Sequence, residues 1–201
     1  MFNTFARAFV ARLIDPLGVA LVKVGLTPNA VTLLGTVGAV SSALLFLPRG
    51  MLLAGTFTVW AFVMLDLVDG AMARAAGTTR FGAVLDATCD RLVDGALFAA
   101  ITWWAFATGR PRAAAAALVC LVLAQVISYV KARAEASGFS AQGGVAERAE
   151  RLAIALIGTG LQGLGVPYAV EVSLWLLALL SLLTLVQRIR VVVEAARNAG
   201  S

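Results

Sequence analysis

Asp66 and Asp69, and then Asp86 and Asp90, lie in the stretch DLVDGAMARAAGTTRFGAVLDATCD, residues 66–90. A separation of three places the first pair on one helix face, and a separation of four does the same for the second. Four ionised carboxylates brought together repel one another. They must be protonated, paired with cations or bound to metal. The chain contains no histidine, and carboxylate oxygens alone suit a hard cation, Mg²⁺ or Mn²⁺. Two ions about 3.5–4 Å apart would share four such ligands, polarise a phosphoryl group and activate an attacking hydroxyl. The competing reading pairs the acids with Arg74, Arg80 and Arg91 at helix ends. That reading serves one aspartate well and all four poorly. Gly70, Ala73 and Gly82 leave a slot beside the acids, although small residues also serve close helix packing in membranes.

The elements that carry these acids must be membrane helices. The 201 residues are 61% hydrophobic and 13% charged, with mean hydropathy +0.92. A soluble domain is nearer half apolar and a quarter charged. The composition therefore predicts an all-α integral membrane protein and leaves no room for a separate soluble domain. Cys89 and Cys120 are isolated, so neither a disulfide nor a zinc site is expected. The net charge of +5 sits in short loops, which fits the positive-inside rule better than nucleic-acid binding.

Six transmembrane helices are expected, near 28–48, 51–72, 82–107, 113–134, 149–165 and 168–188, each close to the roughly 20 residues that span a bilayer. Thr27 is placed to cap the first, with Pro28 in its first turn. Ahead of them, residues 2–14 set Phe2, Phe5, Phe9 and Leu13 on one side and Arg7 opposite. This predicts an amphipathic helix in the membrane interface; a cytosolic tail packed on the bundle is the alternative. The whole chain, 1–201, reads as one membrane domain, with its bundle over 28–188. With the N-terminus inside, Arg7, Arg12, Lys23, Arg74, Arg80, Arg91, Lys131, Arg133, Arg148, Arg151, Arg188, Arg190 and Arg197 fall on the cytoplasmic side. Only Arg49, Arg110 and Arg112 fall outside. That bias predicts a multi-pass plasma-membrane protein with both termini and the acidic site cytoplasmic.

The stretches DLVDGAMAR and GAVLDATCD together resemble the signature of the CDP-alcohol phosphotransferases, D-x-x-D-G-x-x-A-R…G-x-x-x-D-x-x-x-D. Seven residues separate Arg74 from Gly82, one fewer than is usual there, which leaves the roles of Thr78 and Thr79 open. TRFGAVLDATCDR, QVISYVKARAEASG and ERAERL are similar to the actinobacterial phosphatidylinositol phosphate synthases within that family. The resemblance implies six membrane helices, a homodimer, a cytoplasm-facing site, CDP-diacylglycerol as donor and inositol 3-phosphate as acceptor. It implies that Asp66, Asp69, Asp86 and Asp90 hold two metal ions, with Asp90 also the general base. It further implies that Gly70, Arg74 and the threonine before Arg80 (Thr79) contact the nucleotide, as does the turn Asn29, Ala30, Val31 and Thr32. Ala73 and Gly82 would border the same donor. Free N–H groups in a first helical turn suit such contacts, but plain capping accounts for that turn equally well.

The acceptor must be read elsewhere. Lys131 and Arg133, Arg148 and Arg151, and Arg188 and Arg190 end or begin three different expected helices at one membrane level. Arginine forks fit phosphate well. Lys131, Arg151 and Arg188 are the favoured phosphate ligands, partly from the resemblance, with Arg148 a weaker one. The alternatives are ordinary loop charge, or pairing of Arg148 and Arg151 with Glu147 and Glu150. Asp94, one turn beyond Asp90, either orients a sugar hydroxyl or pairs with a cation. Glycerol 3-phosphate is the runner-up acceptor, which would make the chain a phosphatidylglycerol phosphate synthase. A divalent-cation transporter is the reading from another class.

Overall fold

A computed structural model describes residues 14–141 and 143–199, and every regular element among them is an α-helix. Residues 14–23 form α1. Then follow α2 (Pro28–Phe46), α3 (Leu52–Val63), α4 (Leu65–Ala76), α5 (Arg80–Ala107), α6 (Pro111–Ala136), α7 (Arg148–Gly163) and α8 (Ala169–Ala199). The expected interfacial helix over 2–14 lies outside the described residues, save its last position.

Each of the six expected spans falls on helix. The second is broken at Met64 into α3 and α4, two residues before Asp66. The last continues to Ala199, well past the expected end at 188, because Arg188 and Arg190 are good helix formers and nothing breaks the run. Four segments are long and apolar enough to cross a membrane: Pro28–Phe46, Leu52–Ala76, Pro111–Ala136 and Ala169–Asn198. Their outward faces expose Leu34, Val37, Phe57, Val122, Leu176 and Leu179. Apolar surface of that extent belongs against lipid, and the chain is a multi-pass membrane protein.

The chain divides into two compact units, Met1–Ser42 with Phe57–Val93, and Ala43–Thr56 with Asp94–Ser201. In the first, Val59 and Met72 are fully buried. Gly18 of α1 comes so close to α4 that a Cβ there would lie 2.8–2.9 Å from Ala71 and the Met72 nitrogen. Gly38 of α2 faces the Phe62 ring in the same way. In the second unit α8 packs on both α6 and α7. Its core holds Leu97, Phe98, Ile101, Ile127, Leu174 and Leu177, all at 0% exposure. α6 buries Ala113, Ala114, Ala116, Ala117 and Ala124, the small-residue packing that lets membrane helices approach closely.

Candidate active site

The loop between α4 and α5 turns the chain back on itself, and the acids meet. One oxygen each from Asp66, Asp69 and Asp86 lies within 4.8 Å of the others. At that separation each ionised pair repels by about 3 kcal/mol for an effective dielectric near 20. The repulsion is met in part by Thr32, whose hydroxyl donates to Asp69 Oδ2 at 2.5 Å. Arg74 does not turn to the acids: its Nη2 lies 2.6 Å from Asp15 Oδ1 of α1. A cluster of oxygen donors with that much residual negative charge fits a divalent hard cation. Asp90 sits one turn further along α5, outside the tight group, with Arg91 Nη2 at 4.0 Å from its Oδ2.

The three acids line a cavity of about 600 Å³ in the first unit. Asn29, Thr32, Gly70, Ala73, Arg74, Thr79 and Gly82, all singled out from sequence, line it too. Ala30 and Val31 do not. Their N–H groups bond to Thr27 instead, Ala30 to both the hydroxyl and the carbonyl and Val31 to the carbonyl. Thr27 thus caps α2 as expected. Thr79 caps α5 in the same manner, its Oγ1 accepting from the Gly82 N–H at 2.9 Å. Gly82 gives the cavity room: a Cβ there would stand 2.9 Å from Thr79 Oγ1 and 3.2 Å from Asn29 Oδ1, crowding both side chains.

The basic residues belong to the second unit. Arg151 is 2% exposed; its Nη2 lies 3.3 Å from Asp94 Oδ2 and its Nη1 donates to Ala146 O at 3.3 Å. Arg148 Nε is 3.7 Å from Asp94 Oδ1. Both arginines thus face Asp94 across helices, where pairing with Glu147 and Glu150 was one expectation. Arg188 is buried, with Nε donating to Gly143 O and Nη1 to Ile127 O, each at 3.0 Å. Glu147 lies 3.9 Å from Arg188 Nη2. Lys131 is half exposed and 4.0 Å from Glu135 on its own helix.

Sequence reasoning missed Asp15, which reaches Arg74 only because Gly18 lets α1 lie on α4. Gly18 within α1 was the one available signal. It also missed that Thr32 serves Asp69 directly.

The model of the CDP-alcohol phosphatidyltransferase family matches residues 25–191. The chain belongs to that family. It is a transferase of phospholipid synthesis, and the acidic cleft is where the family signature falls. The chain is 53% identical to the phosphatidylinositol phosphate synthase of Mycolicibacterium smegmatis, over 92% of this chain and 86% of that protein. Against the enzyme of the same name from Mycobacteroides abscessus identity is 50%, over 96% and 89%. Among solved structures it resembles the Mycobacterium tuberculosis phosphatidylinositol phosphate synthase with CDP-DAG bound, at TM-score 0.85 and 52% identity, covering 90% of this chain and 94% of that one. The same tuberculosis enzyme in complex with manganese and citrate matches at TM-score 0.83 and 51% identity, over 89% and 88%.

Proposed function

We propose that this chain transfers the phosphatidyl group of CDP-diacylglycerol to a hydroxyl of inositol 3-phosphate and releases CMP. The observation that carries the reading is the convergence of Asp66, Asp69 and Asp86 on one cavity wall, in a chain half identical to named phosphatidylinositol phosphate synthases. Asp66, Asp69, Asp86 and Asp90 would hold two Mg²⁺ ions, or Mn²⁺ in their place. Bound there, the ions would neutralise the donor's diphosphate and polarise its phosphoryl group.

The protein's own groups do the rest. Gly70, Ala73, Arg74, Thr79, Gly82 and, from the turn that opens α2, Asn29 and Thr32 seat the CDP moiety. Asp90 takes the proton of the acceptor hydroxyl. The freed oxygen bonds to the phosphorus that carries diacylglycerol, and the bond from that phosphorus to the bridging oxygen breaks, its electron pair leaving with CMP. Lys131, Arg148, Arg151 and Arg188 neutralise the acceptor's phosphate. Catalysis in this scheme is chiefly positioning and charge stabilisation.

We also read α2, the α3–α4 segment, α5, α6, α7 and α8 as six spans of one membrane domain in the plasma membrane, with site and termini cytoplasmic and two chains per assembly. The charge bias supports the sidedness. Although α5 is too charged for a composition test, none of its acids lies beyond Asp94 and Gly95–Ala107 is apolar. Its 28 residues reach about 42 Å, more than a bilayer core needs.

Purified protein supplied with CDP-diacylglycerol and Mg²⁺ is expected to release CMP fastest with inositol 3-phosphate, and slowly or not at all with free inositol, glycerol 3-phosphate or serine. Fastest release with glycerol 3-phosphate would make it a phosphatidylglycerol phosphate synthase instead.

A further inference from the structure

Asp94 is 1% exposed in the middle of α5, where its apolar half begins. An acid so placed is costly unless it is paired, and here each oxygen faces a guanidinium of α7: Oδ2 toward Arg151 Nη2 at 3.3 Å, Oδ1 toward Arg148 Nε at 3.7 Å. Asp94 therefore pairs with cations, and neither of its oxygens is turned to a sugar hydroxyl alone. Arg151 is held at a second point as well, through Nη1 on the Ala146 carbonyl. The Ala146 N–H in turn donates to Thr184 Oγ1 at 2.9 Å, which ties this carbonyl to α8. With both terminal nitrogens fixed, the guanidinium plane is set, and the buried Nε of Arg151 has no partner. The trio sits at the start of α7, where the helix dipole favours an anion.

We propose that Asp94 is a positioning residue for the acceptor's phosphate, an inference that rests on the acceptor reading above. It fixes the directions of Arg151 and Arg148 before substrate arrives, so that the phosphate meets pre-set donors and no arginine must be ordered on binding. Asp94 touches neither substrate in this scheme. Its removal would act through the arginines on one substrate only.

The test titrates donor and acceptor separately in Asp94→Asn and Asp94→Glu, with thermal unfolding of each variant in detergent as the control for folding. Asp94→Asn is expected to raise KM for inositol 3-phosphate about tenfold while KM for CDP-diacylglycerol stays within twofold. Asp94→Glu, which keeps the charge but displaces it by one methylene, is expected to recover part of that loss. Should Asp94→Asn not accumulate as folded protein, Asp94→Glu decides alone, with acceptor KM raised at least threefold and donor KM kept. A folded variant with unchanged acceptor KM, or with both KM values raised alike, overturns the proposal. The parent protein separates the two readings. If it uses glycerol 3-phosphate and not inositol phosphate, the acceptor reading fails, and the same donor-against-acceptor split in Asp94→Asn, read with glycerol 3-phosphate, still decides the role of Asp94.

Discussion

Asp86→Asn is expected to abolish CMP release while the protein still folds. An amide keeps the shape of the carboxylate and loses the charge that a divalent cation requires. Because Asp66, Asp69 and Asp86 bring like charges within 4.8 Å, removing one relieves repulsion. The variant's melting temperature in metal-free buffer should therefore equal or exceed that of the parent. EDTA should silence the parent in the same way, and Mg²⁺ or Mn²⁺ should restore the parent but not the variant. Full activity in Asp86→Asn would remove the metal site from the account.

The second large effect belongs to Arg188. Arg188→Ala is expected to raise KM for inositol 3-phosphate roughly ten- to a hundredfold, the loss of one charge-assisted contact. It should also lower stability by about 2–4 kcal/mol, because the Gly143 and Ile127 carbonyls lose their donor. Gly144 beside that contact has φ +147° and no space for a Cβ against Thr184, so a side chain at this position would add strain to the loss. Arg188→Lys retains the charge but cannot fork onto two carbonyls, and is expected to recover acceptor affinity more than stability. Titrating each substrate against denaturant unfolding separates the two losses. Normal acceptor affinity with lost CDP-diacylglycerol affinity would assign Arg188 to the donor side.

How much of this was legible in the residues depends on sequence distance. The acidic pairs, their helix faces and the cap at Thr27 are local patterns of three or four residues; the cap forms, and Asp66, Asp69 and Asp86 meet, with Asp90 a turn away. The helices were legible for a similar reason, since length and hydropathy report on a bilayer directly. Partners far apart in sequence were not. Arg188 reaches Ile127 across 61 residues and Arg151 reaches Asp94 across 57. No periodicity encodes such choices, and pairing of Arg148 and Arg151 with the glutamates beside them is a local alternative that the sequence leaves open. The break at Met64 was hidden because the apolar run continues through it. The helix over 14–23 was passed over for the segment before it, and with it went the contact from Asp15 to Arg74.

In the proposed reaction the aspartate cleft joins an acceptor hydroxyl to the phosphatidyl group as CMP departs. The most direct test counts CMP and new lipid in one reaction of purified protein, CDP-diacylglycerol, inositol 3-phosphate and Mg²⁺, with the lipid identified by mass. One phosphatidylinositol phosphate is expected for each CMP, and neither product when the acceptor, the metal ion or the charge of Asp86 is withheld. CMP release that is indifferent to acceptor and metal, or metal movement across a vesicle membrane with the lipid untouched, would contradict it.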